Sequence, residues 1–258
     1  MKPLLSVITY NRKAETLRTI GALQDTGAME QAEVVIWDNG SVDGTSATLW
    51  EMETGGKLGA CHVISYGSNV GCPRALNHIL TSWRQAGQHF IKVDNDVLLK
   101  NIGWVDFLCR FLEEHPDVGM ASPWYPEIET ANQGKIQRKH DVWYEVFPVI
   151  GHCVIHRGKL LDETGFFDVL AEDHLYGFED LLMAHRAGAL GYKCAVILGV
   201  RLENIQRKNS LDSGLHVGES RADHIARLRP EYNRRIHRIH LPGRGYHVGP
   251  DGQEVGRV

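Results

Sequence analysis

Two acidic residues with the spacing of a metal-binding pair follow an apolar segment near the middle of the chain. Asp94 and Asp96 come directly after HFIKV, which spans residues 89–93. Two carboxylates at this spacing can reach one hard cation, with phosphate oxygens and water completing its coordination shell. Such a cation would neutralise the charge that develops on a leaving diphosphate. The alternative is an ordinary acidic turn, because D-x-D is a common pattern by itself.

Polar residues also follow three other apolar segments. One such ending would be an ordinary turn, because Asn, Asp and Gly are turn formers, whereas four endings at one edge predict a ligand crevice. The segments and their endings are LLSVIT with Tyr10-Asn11-Arg12, VVIW with Asp38–Thr45, CHVIS with Gly67–Gly71, and HFIKV with Asp94–Asp96.

The apolar segments are predicted to be strands, and the residues between them indicate helices. Leu17, Ile20 and Leu23 recur at helical spacing, and a second apolar helical face runs from Ala75 to Trp83. Alternating strands and helices predict βαβ units, and therefore an α/β fold with a mostly parallel central sheet. Ligands of such sheets bind beyond the carboxyl ends of the strands, where the polar residues lie.

The composition of the 258 residues, with 43% apolar and 23% charged, is that of a globular protein. No run of 18 apolar residues occurs, so we expect neither a transmembrane helix nor a membrane anchor. The five cysteines form no CxxC pair, which favours a reducing, cytoplasmic location over a disulfide framework or a zinc site. Arg12 and Lys13 follow the first apolar run, so no secretion signal is expected.

An ordered set of motifs resembles the nucleotide-binding half of family 2 glycosyltransferases with the GT-A fold. The set is SVITYNR, WDNGSVDGT, NVGCPRALNHIL and KVDND. Further along, GHCVI (151–155), GFFD (165–168) and GFEDLL (177–182) are similar to the acceptor side of that family. The resemblance runs from Leu4 to Asn204. It implies a Rossmann-like sheet flanked by helices and an inverting transfer from a nucleotide-diphospho sugar, with a UDP-sugar favoured and Mn²⁺ or Mg²⁺ as cofactor.

The resemblance also implies roles for individual residues on the donor side. Asp94 and Asp96 match the D-x-D pair, with Asp96 as the direct metal ligand and Asp94 beside the ribose. The residues implied to bind or shape the site of the base, ribose and diphosphate are Thr9, Tyr10, Asn11, Arg12, Asp38, Asn39, Ser41, Asn69, Gly71, Arg74, Asp94 and Asn95.

Glu179 and Asp180 match the family's Glu-Asp motif at the start of a helix. An inverting transfer needs one general base for the acceptor proton, whereas a glycosidase needs two carboxylates that flank the scissile bond. Asp180 is our predicted base, with Glu179 as the alternative, and the helix dipole favours the ionised carboxylate there. The structural alternative is simple acidic charge at a helix N-terminus.

The chain departs from the family at the third metal ligand. The family's His position falls here on Glu203 or Asn204. Glu203 could supply an oxygen ligand, His216 could supply an imidazole from the C-terminal segment, or neither residue binds the metal. His152 lies where the family lines its acceptor pocket, although a single histidine is more often structural.

Charge divides the chain into an acidic body and a basic C-terminal segment. Residues 206–258 hold ten Lys/Arg and six Asp/Glu, a net charge of +4. Since the whole chain has a net charge of −4, residues 1–205 have a net charge of −8. We predict a GT-A domain over 1–205, with a nucleotide-binding half (about 1–100) and an acceptor half (about 101–205), and a basic extension over 206–258.

Arginines with interleaved aromatics in Arg221–Arg244 suit a nucleic-acid acceptor with a hydroxylated base. The competing explanation is that this segment packs on the acidic body or mediates self-association.

Two other functions remain open at this stage. A nucleotidyltransferase would use the same acidic pair, but it should have a Gly/Lys/Arg-rich triphosphate loop near its start, and the signal for one is weak. A non-catalytic protein that binds nucleic acid or glycan on this fold is the other alternative. The sequence leaves the acceptor open among a glycan, a protein and a modified nucleic-acid base.

Overall fold

The computed structural model describes residues 1–126, 135–149, 151–205, 220–240 and 246–257. Its nucleotide-binding half contains four parallel strands in the spatial order β3-β2-β1-β4. These strands coincide with the four apolar segments, so the predicted parallel sheet is confirmed. Their bounds are β1 (Leu4–Thr9), β2 (Glu33–Asp38), β3 (Cys61–Ser65) and β4 (Phe90–Asp94).

Helices connect these strands and cover the sheet. The helix predicted from Ala75 to Trp83 is present, and its apolar positions at Ala75, Leu76 and Ile79 are fully buried. Burial of this stripe against the sheet stabilises the helix more than its intrinsic propensity does. The helices of this half are α1 (Lys13–Asp25), α2 (Ala28–Gln31), α3 (Thr45–Thr54) and α4 (Cys72–Trp83).

The second half of the sheet is mixed rather than parallel. From β4 the order continues β9-β6-β10-β8-β7, with β9 antiparallel to β4 and β6, and β10 parallel to β6. The short β5 pairs with the end of β10. The strands are β5 (Val97–Leu99), β6 (Val118–Trp124), β7 (Lys135–Lys139), β8 (Trp143–Phe147), β9 (Cys153–His156) and β10 (Lys193–Asn204), and the helices are α5 (Trp104–Glu114), α6 (Gly158–Thr164) and α7 (Glu179–Ala189).

The C-terminal segment packs on this second half. It contains α8 (Arg221–Ile239), which continues through Pro230, and a hairpin of β11 (Tyr246–Val248) and β12 (Glu254–Arg257). The fully buried Asp168 accepts hydrogen bonds from Arg235 Nη1 at 2.5 Å and from Tyr246 Oη at 2.9 Å. A separate apolar cluster joins the two parts through Leu170, Leu182, Leu228, Ile239, Tyr246 and Val248.

All six arginines of α8 have partners within the protein. Four form ion pairs with carboxylates and two lie over aromatic rings, so contacts within the chain account for their clustering. The pairs are Arg227–Asp173, Arg234–Glu231, Arg235–Asp168 and Arg238–Glu254, and Arg221 lies over Tyr176 and Arg229 over Phe178. A separable extension beginning at residue 206 stays a prediction. Among the described residues, none of the helices is long and apolar enough to cross a bilayer.

Candidate active site

A cleft opens at the carboxyl ends of β1, β2 and β4, where the parallel topology brings the predicted polar endings together. Its floor carries side chains from the two central strands, and one wall comes from the segment before α7. The residues that line it are Ile8, Tyr10, Arg12, Asn39, Asn69, Cys72, Lys92, Val93, Asp94, Asn95, Leu175 and Tyr176. Six of the predicted donor-side residues are therefore in its lining.

The loops that follow β1 and β2 are fastened to each other. Asn11 and Arg12 both have left-handed backbone conformations, with φ of 56° and 57°. The Asn11 N–H donates to Ser41 Oγ at 2.7 Å, and the Val42 N–H donates to Asn11 Oδ1 at 2.9 Å. Ser41 Oγ in turn donates to the buried Asp38 carboxylate. Positive φ at non-glycine residues persists only where the surroundings enforce it, and here these hydrogen bonds do so.

The loop after β3 is held by amide side chains and by close contact with the cleft wall. Asn39 Nδ2 donates to Asn69 Oδ1 at 2.7 Å, and the Gly71 N–H donates to the same oxygen at 3.0 Å. Gly71 has φ of 86°, and a Cβ there would overlap the carbonyl oxygen of His174. The Cys72 N–H donates to the Leu175 carbonyl at 2.6 Å, which fixes this wall beside α4.

Three of the predicted donor-side residues make structural contacts, and of these only Asn95 also lines the cleft. Asn95 Nδ2 donates to Thr9 Oγ1 at 3.0 Å and to Thr16 Oγ1 at 3.1 Å, so this buried cluster fixes the D-x-D loop to β1 and α1. Arg74 Nη2 donates to the Ala171 carbonyl at 3.0 Å and is not in the cleft lining. Thr9, Asn95 and Arg74 therefore support the cleft, and the predicted place of Arg74 near the base and diphosphate stays a prediction.

The D-x-D carboxylates face cations of the protein. Arg12 Nη1 donates to Asp96 Oδ2 at 2.9 Å, and His152 Nδ1 lies 3.5 Å from Asp94 Oδ2. Burial and the neighbouring Asp94 raise the pKa of Asp96 even though Arg12 opposes the shift. Burial alone would raise the pKa of Asp94, but Lys92 and His152 outweigh it and lower that pKa. Asp94 also raises the pKa of His152 against the effect of burial.

Lys92 is a buried charged residue at the floor of the cleft that sequence reasoning did not single out. Its Nζ donates to Asp180 Oδ2 at 2.6 Å and lies 3.6 Å from Glu179 Oε1 and 3.8 Å from Asp94 Oδ1. Burial would lower its pKa, but the three carboxylates outweigh it and the pKa is raised well above its usual value. The signal in the sequence was a lysine inside the apolar strand HFIKV, two residues before Asp94.

The predicted catalytic carboxylates open α7, as the sequence indicated. Phe178 precedes them in a left-handed conformation with φ of 68°. Glu179 and Asp180 are 7% and 9% exposed, and Glu179 Oε2 and Asp180 Oδ1 are buried atoms without a hydrogen-bond partner. Burial and then Asp180 raise the pKa of Glu179 against the effect of Lys92. The backbone at Gly151 lies so close to Asp180 Oδ2 that a Cβ would overlap it.

The residues present fit a divalent cation only in part. Asp94 and Asp96 supply hard oxygen ligands of the kind that Mn²⁺ and Mg²⁺ prefer. Within the described ranges no group of three or more His, Cys, Asp or Glu side chains is arranged to hold a metal. Glu203 does not join the pair, because it is exposed on β10 and its Oε2 lies 2.5 Å from Lys100 Nζ. His216 lies outside the described residues.

The wall of the cleft opposite the strands was also missed. Leu175 and Tyr176 come from the segment before α7, and α8 contacts both residues. His224 of α8 stacks on Tyr176 at 5.0 Å between ring centroids, and its Nε2 accepts from the Leu175 N–H at 3.4 Å. The sequence placed His224 in the basic segment, and no local pattern could relate it to a wall nearly fifty residues earlier in the chain.

Sequence comparison identifies a family for most of this region. The sequence model of the family described as Glycosyl transferase family 2 matches residues 5–166, which include the D-x-D pair and the four parallel strands. No curated protein sequence matches the chain.

Solved structures share the fold at low sequence identity. GalNAc-T7 with UDP, GalNAc and Mn²⁺ matches with a TM-score of 0.70 at 15% identity, over 90% of this chain and 50% of that chain. The mannosyltransferase PcManGT from Pyrobaculum calidifontis, in complex with GDP-Man and Mn²⁺, gives 0.63 at 18%, over 94% and 71%. S. aureus TarS in complex with UDP gives 0.59 at 18%, over 78% and 60%. The chain thus spans only half the length of the GalNAc-T7 chain, and these similarities show the fold.

Proposed function

Because the chain belongs to glycosyl transferase family 2, we propose that it transfers a sugar with inversion from a nucleotide-diphospho sugar to an acceptor hydroxyl. A UDP-sugar is the donor we favour, since the similar structures of GalNAc-T7 and TarS contain UDP, although PcManGT contains GDP-Man. The observation that carries the proposal is that Lys92, at the floor of the cleft, lies within 4 Å of Asp94 of the D-x-D pair and of both Glu179 and Asp180.

The donor side is assigned to the loops after β1, β2 and β3. Tyr10, Asn39 and Asn69 line the cleft and can contact the base and ribose, and Arg12 can contact the diphosphate. Asp94 and Asp96 would hold Mn²⁺ or Mg²⁺, with the remaining ligands from diphosphate and water. When bound, that cation would supply charge neutralisation for the leaving nucleotide diphosphate. Mn²⁺ is present in the GalNAc-T7 and PcManGT structures.

Asp180 is the residue we assign as general base. Its Oδ1 has no hydrogen-bond partner and so retains the capacity to accept the proton of an acceptor hydroxyl. Glu179 is the alternative base: its Oε2 also has no hydrogen-bond partner, and burial together with Asp180 raises its pKa. In the structure Asp180 Oδ1 is buried, and catalytic hydrogen bonds commonly form only in the complex with substrate.

A thermal-shift experiment tests the donor class directly. The wild-type protein is melted with UDP-glucose, UDP-N-acetylglucosamine, UDP-N-acetylgalactosamine or GDP-mannose, each with Mn²⁺ or with EDTA. We expect one UDP-sugar to raise Tm in the presence of Mn²⁺, because a ligand that binds only the folded state stabilises it. Asp96→Asn, which keeps the size of this buried side chain, should lose the Mn²⁺-dependent part of the shift. No shift with any donor would contradict the proposal.

The turnover rate of an Asp180 variant tests the assignment of Asp180 as general base. Release of UDP from the donor identified in this way should fall about 10²-fold in Asp180→Asn, the usual scale for losing a general base. The thermal shift with the donor should persist, because Asp180 is assigned to the acceptor side. Loss of both turnover and donor binding would make Asp180 a donor-binding or folding residue instead.

The acceptor and the cellular location remain proposals. A glycan, a protein or a hydroxylated nucleic-acid base are the acceptors that we consider, and a cytoplasmic location stays a prediction. The arginines of α8 that suggested a nucleic acid are engaged in contacts within the protein. A nucleotidyltransferase remains the alternative enzyme, and it would release pyrophosphate from a nucleoside triphosphate rather than UDP from a UDP-sugar.

A further inference from the structure

We propose that Lys92 is a positioning residue, which binds Asp180 through Oδ2 and thereby leaves Oδ1 as the atom that takes the acceptor proton. The inference rests on the proposed function, because it assigns an oxygen of the same general base. It goes further in naming a residue on the donor-side strand β4 that orients a group on α7.

The contacts of the ammonium group distinguish between the two adjacent carboxylates. Lys92 Nζ lies 2.6 Å from Asp180 Oδ2, within hydrogen-bond distance, but 3.6 Å from the nearest oxygen of Glu179 and 3.8 Å from that of Asp94. A charge-assisted hydrogen bond at the shorter distance fixes the orientation of a carboxylate, whereas the two longer contacts contribute mainly attraction. Lys92 therefore holds Asp180 in particular.

The surroundings of Asp180 make its two oxygens different. Oδ2 is bonded to Lys92 and covered by the backbone at Gly151, where any Cβ would overlap it. Oδ1 has no partner, which is uncommon for a buried carboxylate oxygen and indicates a place for a hydrogen-bond donor that arrives with substrate. A hydroxyl of the acceptor is such a donor.

Stability alone does not account for a lysine at this position. Its neighbours Ile91 and Val93 are at most 1% exposed, and Lys92 itself is 4% exposed on a central strand. Replacement of a buried ion pair by apolar residues of similar size is often neutral or stabilising, because the desolvation cost disappears. The ammonium group is thus explained by its orientation of the Asp180 carboxylate rather than by a contribution to the stability of β4.

The test compares Lys92→Met with a matched change at the surface. Lys100→Met removes a lysine whose side chain is 68% exposed and paired with Glu203, so it controls for the general effect of losing a lysine–carboxylate pair. With the UDP-sugar that wild type hydrolyses, Lys92→Met should lower kcat by about 10-fold or more and leave KM for the donor within about twofold. Lys100→Met should change neither parameter.

A double variant separates positioning from a structural role. If Lys92 acts through Asp180, Lys92→Met should lower kcat far less in an Asp180→Asn background than in wild type. An equal loss in both backgrounds would overturn the proposal, and so would a wild-type kcat in Lys92→Met. If Lys92→Met does not fold, Lys92→Leu, which also lacks a hydrogen-bond donor, replaces it in the same comparison.

The experiments distinguish failure of the proposed function from failure of the role proposed for Lys92. A wild-type protein that hydrolyses none of the four donors contradicts the glycosyltransferase assignment and with it the role of Oδ1. An active wild type with an equally active Lys92→Met variant contradicts only the role of Lys92.

Discussion

His156 shows how the structure converts burial into pH dependence. It lies on β9 without solvent exposure, between Phe90 and Phe167 at ring-centroid distances of 5.8 and 5.4 Å. Burial lowers the pKa of the imidazole to about 4, and weak contacts with the backbone of Phe90 and Val154 do not offset this effect. The side chain is therefore neutral in the folded protein at pH values where an unfolded chain would already protonate it.

We expect His156→Leu to make the protein less sensitive to acid. Between about pH 6.5 and 4 the unfolded state binds a proton at this residue that the folded state does not. The associated stability is present above pH 6.5 and lost as the pH falls toward 4. The variant should reduce the slope of unfolding free energy against pH by up to about 1.4 kcal/mol per pH unit in that window.

Urea unfolding of wild type and variant at several pH values between 4.5 and 7.5 checks this. The exposed His62→Leu serves as the control for replacing a histidine on a strand. A residual pH dependence is expected in His156→Leu, because burial also lowers the pKa of His174 to about 4. An unchanged slope would mean that His156 is protonated or hydrated in the folded protein.

The turn between β3 and α4 depends on one glycine. Gly71→Ala should displace the cleft wall, since the alanine would meet the His174 carbonyl in addition to adopting an unfavourable φ of 86°. We expect the donor to bind at least about 10-fold more weakly, because a shift of the wall changes the shape of the site. Isothermal titration with the donor measures the effect.

Gly67→Ala is the matched control for this prediction. It lies four residues earlier in the same connection, and a Cβ there meets nothing within 4 Å. Equal donor affinities in the two variants and wild type would show that the wall does not contact the donor.

The connection between α8 and the acceptor half depends on an ion pair beneath the surface. Arg235→Met should destabilise the protein by about 1.5–3 kcal/mol, because it removes a charge-assisted hydrogen bond to the fully buried Asp168, which keeps Arg186 and Tyr246 as partners. Arg234→Met, one residue earlier, removes an arginine whose side chain is 54% exposed, and it should change stability by less than about 0.5 kcal/mol. Urea unfolding of both variants measures the difference, and similar midpoints would contradict the buried role of Arg235.

The strands of the nucleotide-binding half were predictable because their pattern is local. LLSVIT, VVIW, CHVIS and HFIKV are each apolar, bounded by turn residues and separated by helical periodicity, and all four became parallel strands at the predicted positions. The geometry of parallel sheets then placed their polar endings at one edge, where the cleft lies.

Contacts between distant parts of the chain were not predictable in this way. Lys92 and Asp180 are 88 residues apart, and a lysine within an apolar strand does not reveal its partner. Glu203 was placed on the register of the family, but alternation along β10 directs its side chain to Lys100 instead of the cleft. The sequence did not distinguish Arg235 from the other arginines of the basic segment, because only the folded chain brings Asp168 beside it.

The charge of the whole molecule favours packing of the basic segment on the body over binding of a nucleic acid. The net charge of −4 repels a polyanion, and the arginines of α8 are engaged within the protein. We expect no measurable binding of single-stranded or duplex DNA at about 50 mM salt in a filter assay.

A triple variant of the exposed arginines lets the DNA-binding assay distinguish a nucleic-acid site from contacts within the protein. Arg227, Arg234 and Arg238 have side chains that are 38%, 54% and 42% exposed, and their joint replacement by Gln spares the buried Arg235. The nucleic-acid acceptor is supported instead if wild type binds duplex DNA with a steep salt dependence that the triple variant weakens. The slope of log K against log salt should then fall by about 0.9 for each phosphate that the variant no longer neutralises.

The order of strands in the sheet has a consequence for how the protein reaches its native state. β1 and β4 are adjacent, with Leu4 paired to Phe90, so the centre of the cleft exists only after a long loop has closed. Such non-local pairing slows folding. A nucleotide sugar that needs both strands cannot bind an early intermediate. The nucleotide sugar should therefore leave the refolding rate constant unchanged and lower the unfolding rate constant, so that it stabilises the native state kinetically.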